Sequence, residues 1–128
     1  MKHDIENKED IKLLVNSFYK KVLTDDLLLP YFKHVLKHWD EHLETMYLFW
    51  ENILFYTGSY TGNPMEKHKA LVKISPLKKL QFDTWLGYFN ATVDEIFIGE
   101  KANLAKERAY SIAIVMMLKL NPGKSLLN

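Results

Sequence analysis

Residues 57–71 read TGSYTGNPMEKHKAL and interrupt a chain that otherwise shows helical periodicity. Gly58 and Gly62 permit backbone conformations with positive φ, and the Asn-Pro pair that follows is a turn suited to starting a helix. The stretch therefore predicts an irregular loop that tightens into one short helical turn over residues 64–71. That turn presents a single histidine, His68, which is either an ordinary exposed loop residue or a ligand held beside a large space.

Apolar residues recur at helical spacing on both sides of this loop. Asn7 is the predicted N-cap of the first helix and Ser75 that of the third, with Pro76 at its first position. Gly58 is expected to end the second helix and Gly99 the third. We expect an all-α single domain with frayed tails at residues 1–6 and 121–128, and long helices at about residues 7–24, 38–57, 76–98 and 100–120.

Each predicted helix carries an apolar stripe that would face a core. The stripe of the first helix consists of Ile11, Leu14, Val15, Phe18, Tyr19, Val22 and Leu23. That of the second consists of His42, Met46, Phe49 and Ile53, with Trp39 and Trp50 beside it. His42 is thus placed on an apolar face, whereas Tyr19 and Trp85 lie on the flanks of their stripes. An apolar corner at Pro30 separates the first two helices.

Composition excludes several classes of protein. Lys and Arg total 17 and Asp and Glu total 16, without a basic stripe, so nucleic acid is not expected as a partner. No apolar run reaches the ~18–20 residues that cross a bilayer, and the N-terminus MKHDIENKED does not resemble a signal peptide. Because there is no cysteine, disulfides and sulfur-based zinc sites are excluded. We expect a cytoplasmic monomer.

Two histidines, His42 and His68, are the candidate metal ligands. The Glu-x-x-His pattern of di-iron bundles is absent, and a zinc site made of histidine alone would be incomplete. His34 and His38 recur with His42 every four residues, but a proline-broken corner and a helix start disfavour a metal site on that face. The 7 Tyr, 7 Phe and 3 Trp suit a flat apolar cofactor with one axial imidazole, so haem fits the pattern.

The sequence resembles the truncated haemoglobins, specifically the group III branch. The matching marks run in order from about residue 7 to residue 118, and the double-glycine motifs of groups I and II are missing. The marks are Phe18-Tyr19, Phe32 after the corner, HWDEHLETMYLFW with His42 and Trp50, GSYTGNPMEKH ending at His68, FDTWLGYF with Trp85, and RAYSIA at residues 108–113.

The resemblance implies a shortened globin fold, a two-on-two helical sandwich with a haem b (iron protoporphyrin IX) pocket. It makes His68 the proximal iron ligand and Phe32 the phenylalanine packed on the haem face. Trp50 becomes a structural aromatic beneath the pocket. The distal polar residues would be Tyr19, His42 and Trp85, and the candidates to meet the haem propionates are Tyr60, Lys67, Lys78 and Lys79.

Each of these roles has a structural alternative. Tyr19 could keep its hydroxyl in water, and Trp85 could be a core residue bonded to a backbone carbonyl. His42 could point into the pocket, swing outward as a gate, or bind iron itself. The lysines could simply be solvated.

Two classes of function follow from the resemblance. The first is a binding protein that holds O₂, nitric oxide or carbon monoxide for sensing, delivery or scavenging. Tight retention of the gas by polar distal groups suits chemistry or sensing better than bulk oxygen transport. The second is a redox enzyme that removes nitric oxide or peroxide. Because the chain has no flavin or nicotinamide fingerprint, such an enzyme would need an external reductase. A non-haem helical interaction module is the third interpretation.

Overall fold

The computed structural model describes residues 1–56 and 78–120, and these form an all-helical fold. We number its α-helices α1 to α4 in chain order. Two 3₁₀ helices, Leu29–Tyr31 and Lys33–His38, make the corner between the first two α-helices. The α-helices are α1 Lys8–Leu23, α2 Trp39–Phe55, α3 Lys79–Ile96 and α4 Glu100–Leu120.

Helix α1 follows directly from its sequence. The side chain of Asn7 accepts a hydrogen bond from the backbone N–H of Asp10 at 2.9 Å, which satisfies a donor that would otherwise lack a partner in the first turn. The predicted stripe is confirmed, since its residues from Ile11 to Val22 are buried and only Leu23 is half-buried. The N-cap and inward face of this helix are therefore fixed by local sequence.

The helices pack as two pairs, which confirms the two-on-two arrangement. Helix α1 packs against α2 and α3, while α4 packs most extensively on α3 and also contacts α2. Small residues allow α4 to approach its neighbours closely. Four of its alanines are buried: Ala102, Ala105, Ala109 and Ala113.

The predicted end of α2 at Gly58 is wrong. The helix stops at Phe55 because Tyr56 adopts the left-handed conformation, with φ 55, and donates its backbone N–H to the carbonyl of Asn52 at 2.9 Å. The ammonium group of Lys101 lies 5.4 Å from the centroid of the Tyr56 ring. A tyrosine thus takes the place usually given to glycine or asparagine, and a cation–π contact accompanies it.

Both predicted ends of α3 also need correction. The helix begins at Lys79 rather than at Pro76, because Lys78 is extended and its backbone N–H donates to Oε1 of Gln81 at 3.0 Å. Ser75 and Pro76 themselves lie outside the described residues. The helix ends at Ile96, before Gly99, because Phe97 is extended and forms a bridge with His3.

The prediction that residues 1–6 are frayed is wrong. The Ile5 side chain is only 1% exposed. The carboxylate of Asp4 accepts hydrogen bonds from the backbone N–H groups of Lys101 at 2.9 Å and Ala102 at 2.8 Å, which are at the start of α4. The N-terminal arm is therefore part of the packed structure. The Asp4 carboxylate gives hydrogen-bond acceptors to backbone N–H groups that would otherwise lack a partner in the first turn of α4.

Within residues 1–56 and 78–120, no helix is both long enough and apolar enough to cross a membrane.

Candidate functional site

Helix α2 carries two apolar faces, of which only one is fully buried. The predicted stripe of His42, Met46, Phe49 and Ile53 is half-buried along its whole length. The residues that are fully buried are Tyr47, Trp50 and Leu54. At about 100° per residue, the two faces are offset by about 100° around the helix. The packed helices thus use one face, and the other is an apolar surface that they leave partly uncovered.

Tyr19 and His42 meet at the end of this half-buried face. Oη of Tyr19 and Nε2 of His42 share a hydrogen bond of 3.0 Å, and the rings approach edge to face with centroids 5.3 Å apart. Tyr19 is 7% exposed, so its hydroxyl is not a surface group in contact with bulk water. His42 points inward, toward α1. The structure therefore brings together two of the predicted site residues, which the chain carries on different helices.

Burial raises the pKa of Tyr19 well above its ordinary value of 10.0. The low-dielectric surroundings disfavour the phenolate, and the neutral phenol persists at physiological pH. Tyr19 is consequently available as a hydrogen-bond donor. If Nε2 of His42 carries a proton, it can donate to the Tyr19 oxygen and leave the phenol hydrogen for another acceptor.

Aromatic rings surround the Tyr19–His42 pair. Trp39 stacks on the His42 ring, with centroids 5.1 Å apart and an interplanar angle of 30°, and meets Tyr19 edge to face at 5.1 Å. Phe32, from the corner, meets Tyr19 edge to face at 5.8 Å. The rings of Trp39 and Phe32 thus form an apolar lining beside the polar pair.

Trp85 reaches the pair only indirectly. Its ring meets Phe18 edge to face at 5.7 Å, and Phe18 in turn lies 5.1 Å from Tyr19. Whether the indole N–H donates to a bound ligand or to a backbone carbonyl stays a prediction. The two predicted donors thus flank one shared phenylalanine.

A second apolar cluster adjoins the main core on this side of the molecule. It contains Tyr31, Phe82, Ala113 and Met116. Phe32, Trp85 and Ile112 are only partly buried, and they pack against both clusters. Two of the predicted haem-contact residues, Phe32 and Trp85, therefore lie where the two clusters meet. Trp50 is deeper, buried in the main core and stacked on Phe89 at 4.8 Å.

Several predicted site residues lie outside the described part of the chain. These are His68, Tyr60 and Lys67. Of the other propionate candidates, Lys78 is exposed before α3, and Lys79 forms an ion pair with Asp83 at 2.6 Å on its own helix. Their proposed contacts with haem remain predictions.

The three histidines considered as a metal site lie on two different helices. His34 and His38 lie in the second 3₁₀ helix, whereas His42 lies in α2, so the three do not share one α-helical face. Among the described residues, no group of three potential metal-ligating side chains is close enough to hold an ion. Nε2 of His42 is engaged with Tyr19 instead.

Comparison with known proteins identifies the family. The group 3 truncated hemoglobin ctb of Campylobacter jejuni is 32% identical over 117 residues, which cover 88% of this chain and 90% of that protein. This chain belongs to the group III truncated haemoglobins. A crystal structure of a group III truncated hemoglobin from Campylobacter jejuni matches it with a TM-score of 0.84 at 30% identity, over 98% of this chain and 99% of that one. No protein-family model matches the chain.

Membership of the truncated haemoglobins implies a haem cofactor, and the described residues fit one. The half-buried face of α2 is an apolar surface that could lie against a flat macrocycle, and Phe32 and Trp85 are also partly buried against the same core. A polar pair, Tyr19 and His42, borders that surface. This arrangement of apolar walls with a few placed polar groups is typical of cofactor pockets. Family membership therefore favours a haem protein over the non-haem interpretation.

Sequence reasoning missed two contacts around the candidate site. Trp39 was placed only beside the α2 stripe, although its position three residues before His42 is the helical spacing that lets side chains touch. The link between Asp25 and Tyr88, which ties the corner to α3, was not expected at all. No local signal could have revealed it, because the two residues lie far apart in the chain.

Proposed function

We propose that this truncated haemoglobin binds O₂ or another diatomic gas at a haem b whose iron is held by His68. The observation that carries the proposal is the partly buried hydrogen bond between Tyr19 and His42 beside the half-buried apolar face of α2. Haem supplies the iron to which the gas binds. Tyr19, His42 and Trp85 would form the polar side of the pocket.

The phenol of Tyr19 is suited to hold a polar diatomic. A neutral phenol donor would stabilise the partial negative charge that O₂ would carry when bound to the iron. The raised pKa keeps Tyr19 protonated. His42 can donate to the Tyr19 oxygen and so leave the phenol hydrogen available to the bound gas. Such a bond contributes about 1–3 kcal/mol, which corresponds to roughly tenfold to a hundredfold in release rate.

The rest of the pocket is proposed from the family pattern and from chemistry. Haem b fits better than a covalently attached haem, because the chain contains no cysteine for a C-x-x-C-H attachment site. Phe32, which contacts Tyr19, would pack on the haem face. Tyr60 and Lys67, from the loop that contains His68, would meet the propionates.

The experiment compares two tyrosine variants of the haem-loaded protein. Tyr19→Phe should speed O₂ release by roughly tenfold or more, with a smaller effect on carbon monoxide, because carbon monoxide is the poorer acceptor. Tyr47→Phe is the matched control, since the Tyr47 hydroxyl donates to Asn16 at 2.5 Å, away from the pair. An unchanged O₂ release rate in Tyr19→Phe, or an equal change in Tyr47→Phe, would contradict the proposal.

Redox removal of nitric oxide or peroxide is the second candidate, and the Tyr19–His42 hydrogen bond favours it too. A phenol and an imidazole in contact can pass a proton to a reacting oxygen and recover it from solvent, since His42 is half-buried. Turnover would require an external reductase, in the cytoplasm that we expect for this protein. Stopped-flow reaction of the O₂-loaded protein with nitric oxide, and of the ferric protein with peroxide, separates this candidate from simple binding.

A further inference from the structure

One tryptophan contacts both members of the polar pair. The Trp39 indole lies against the His42 ring at 5.1 Å in a stacked arrangement and presents an edge-to-face contact to Tyr19 at 5.1 Å. His42 is therefore held from two sides, by the stack and by the hydrogen bond to Tyr19. Neither its own helix nor α1 alone fixes the ring.

The start of α2 places Trp39 there. The second 3₁₀ helix ends at His38, whose backbone is non-helical with φ −125 and ψ 42, and Trp39 is the first α-helical residue. Residues three apart on an α-helix share a face, so Trp39 lies next to His42. An offset stack between an indole and an imidazole is a favourable arrangement of rings.

His42 lies close to the surface. Its side chain is half-buried, and Asp40 and Glu41, the two residues between Trp39 and His42, are exposed. The Trp39 stack and the Tyr19 hydrogen bond are two of the contacts that hold the ring inward, so we expect loss of either one to move the ring toward solvent.

We infer that Trp39 is a positioning residue that holds His42 on Tyr19 and thereby limits how often gas can enter beside α2. The inference rests on the proposed function, in which His42 borders the ligand side of the haem. Trp39 acts through His42 and does not itself touch the ligand. Loss of the stack shifts the His42 ring outward and opens the path.

The test uses the haem-loaded protein with Trp39→Leu and Trp39→Phe. Trp39→Leu should raise the association rate of carbon monoxide after flash photolysis by about two- to tenfold, the range that one aromatic contact supports. It should also speed modification of His42 by diethyl pyrocarbonate, followed by peptide mass mapping. Trp39→Phe retains a stacking ring and should stay close to the parent protein in both measurements.

Making Trp39→Leu in a His42→Leu protein distinguishes two roles of Trp39: positioning His42, and obstructing the gas path with its own side chain. With no imidazole to hold, Trp39→Leu should add nothing further to the association rate. An additional increase in that background would mean that Trp39 itself obstructs the path, which overturns the inference. Unchanged His42 modification in Trp39→Leu overturns it as well. The modification readout does not depend on gas binding, so it can fail or succeed independently of the O₂ release test of Tyr19→Phe.

Discussion

The phenol of Tyr88 on α3 donates a hydrogen bond to the carboxylate of Asp25, two residues beyond the end of α1. The other carboxylate oxygen accepts the backbone N–H groups of Leu27 at 2.8 Å and Leu28 at 3.2 Å. The corner that leads to Phe32 is thereby tied to the helix that carries Trp85. The Asp25–Tyr88 hydrogen bond lies outside the candidate pocket, but it fixes the corner and α3, which carry two of the pocket residues, relative to each other.

Removing the Tyr88 hydroxyl should destabilise the fold in a pH-dependent way. The hydrogen bond from Tyr88 holds the pKa of Asp25 below its ordinary 3.8, and the same bond raises the pKa of Tyr88 above its ordinary 10.0. The stabilisation that this hydrogen bond gives to the fold is fully present between pH 3.8 and pH 10.0. It is lost as pH falls through the lowered pKa of Asp25 and as pH rises through the raised pKa of Tyr88.

Denaturant unfolding across pH measures this effect. Tyr88→Phe should lower the unfolding midpoint at neutral pH, and the difference from the parent should shrink below pH 3.8 and above pH 10. Tyr110→Phe is the control, because Tyr110 is 57% exposed on α4. A Tyr88→Phe difference that stays constant at all pH values would show that the bond to Asp25 does not carry the effect.

The N-terminal arm should contribute to stability through Asp4. Burial alone would raise the pKa of Asp4, but backbone donors from Lys101, Ala102 and Ile5 outweigh burial and keep the pKa below its ordinary value. Asp4→Ala removes the acceptor at the start of α4 and should cost about 1 kcal/mol of unfolding free energy, as loss of a helix cap does. Asp26→Ala, at an exposed corner position, should be close to neutral. Equal stability of the two variants would mean that the arm is not anchored.

Two glycines in the second half of the chain should respond oppositely to alanine. Gly99 has φ 141, and a Cβ there would lie 2.5 Å from Cγ of Asp4, so Gly99→Ala should destabilise the protein by about 1–3 kcal/mol. Gly87 lies within α3 with nothing within 4 Å of a Cβ, so Gly87→Ala should stabilise by about 0.5–1 kcal/mol. Thermal or denaturant unfolding of both variants measures the contrast, and the same sign for both would contradict it.

The fold was predictable where local sequence decides the structure, and less so where distant contacts decide it. The stripe of α1 and its Asn7 cap follow from spacing and residue type alone. The left-handed Tyr56 does not, because tyrosine rarely adopts that conformation and the accompanying contact comes from Lys101 on α4. The role of Asp4 was missed for the same reason, since its donors lie on a helix close to the other end of the chain.

The site was only partly predictable. Periodicity placed His42 on an apolar face, but the resemblance to truncated haemoglobins was needed to pair it with Tyr19. The face of α2 that packs fully, at Tyr47 and Trp50, differs from the predicted stripe, because an apolar pattern does not distinguish a helix neighbour from a cofactor. The apolar residues of the predicted stripe pack against the core but stay half-buried, and this incomplete burial is the feature that best fits haem.

The proposed iron ligand, His68, can be tested by removing its imidazole. His68→Gly should lose haem or bind it only when imidazole is added, because the family pattern makes this imidazole the protein's attachment to iron. His38→Gly is the control, since His38 is an exposed histidine at the N-cap of α2, where glycine is tolerated. Absorption spectra of the ferrous proteins report the result. A normal five-coordinate spectrum of His68→Gly without imidazole would make His42 the leading candidate.

The most direct test of the account is O₂ release from the haem-loaded parent, Tyr19→Phe, Trp85→Leu and the double variant. Tyr19 and Trp85 flank Phe18, so we expect both to donate to one bound gas molecule. Each single change should speed release by roughly tenfold to a hundredfold, and the double variant should fall short of the product of the two effects. Release at the parental rate in both single variants would contradict the account and leave Tyr19 and Trp85 as core aromatics.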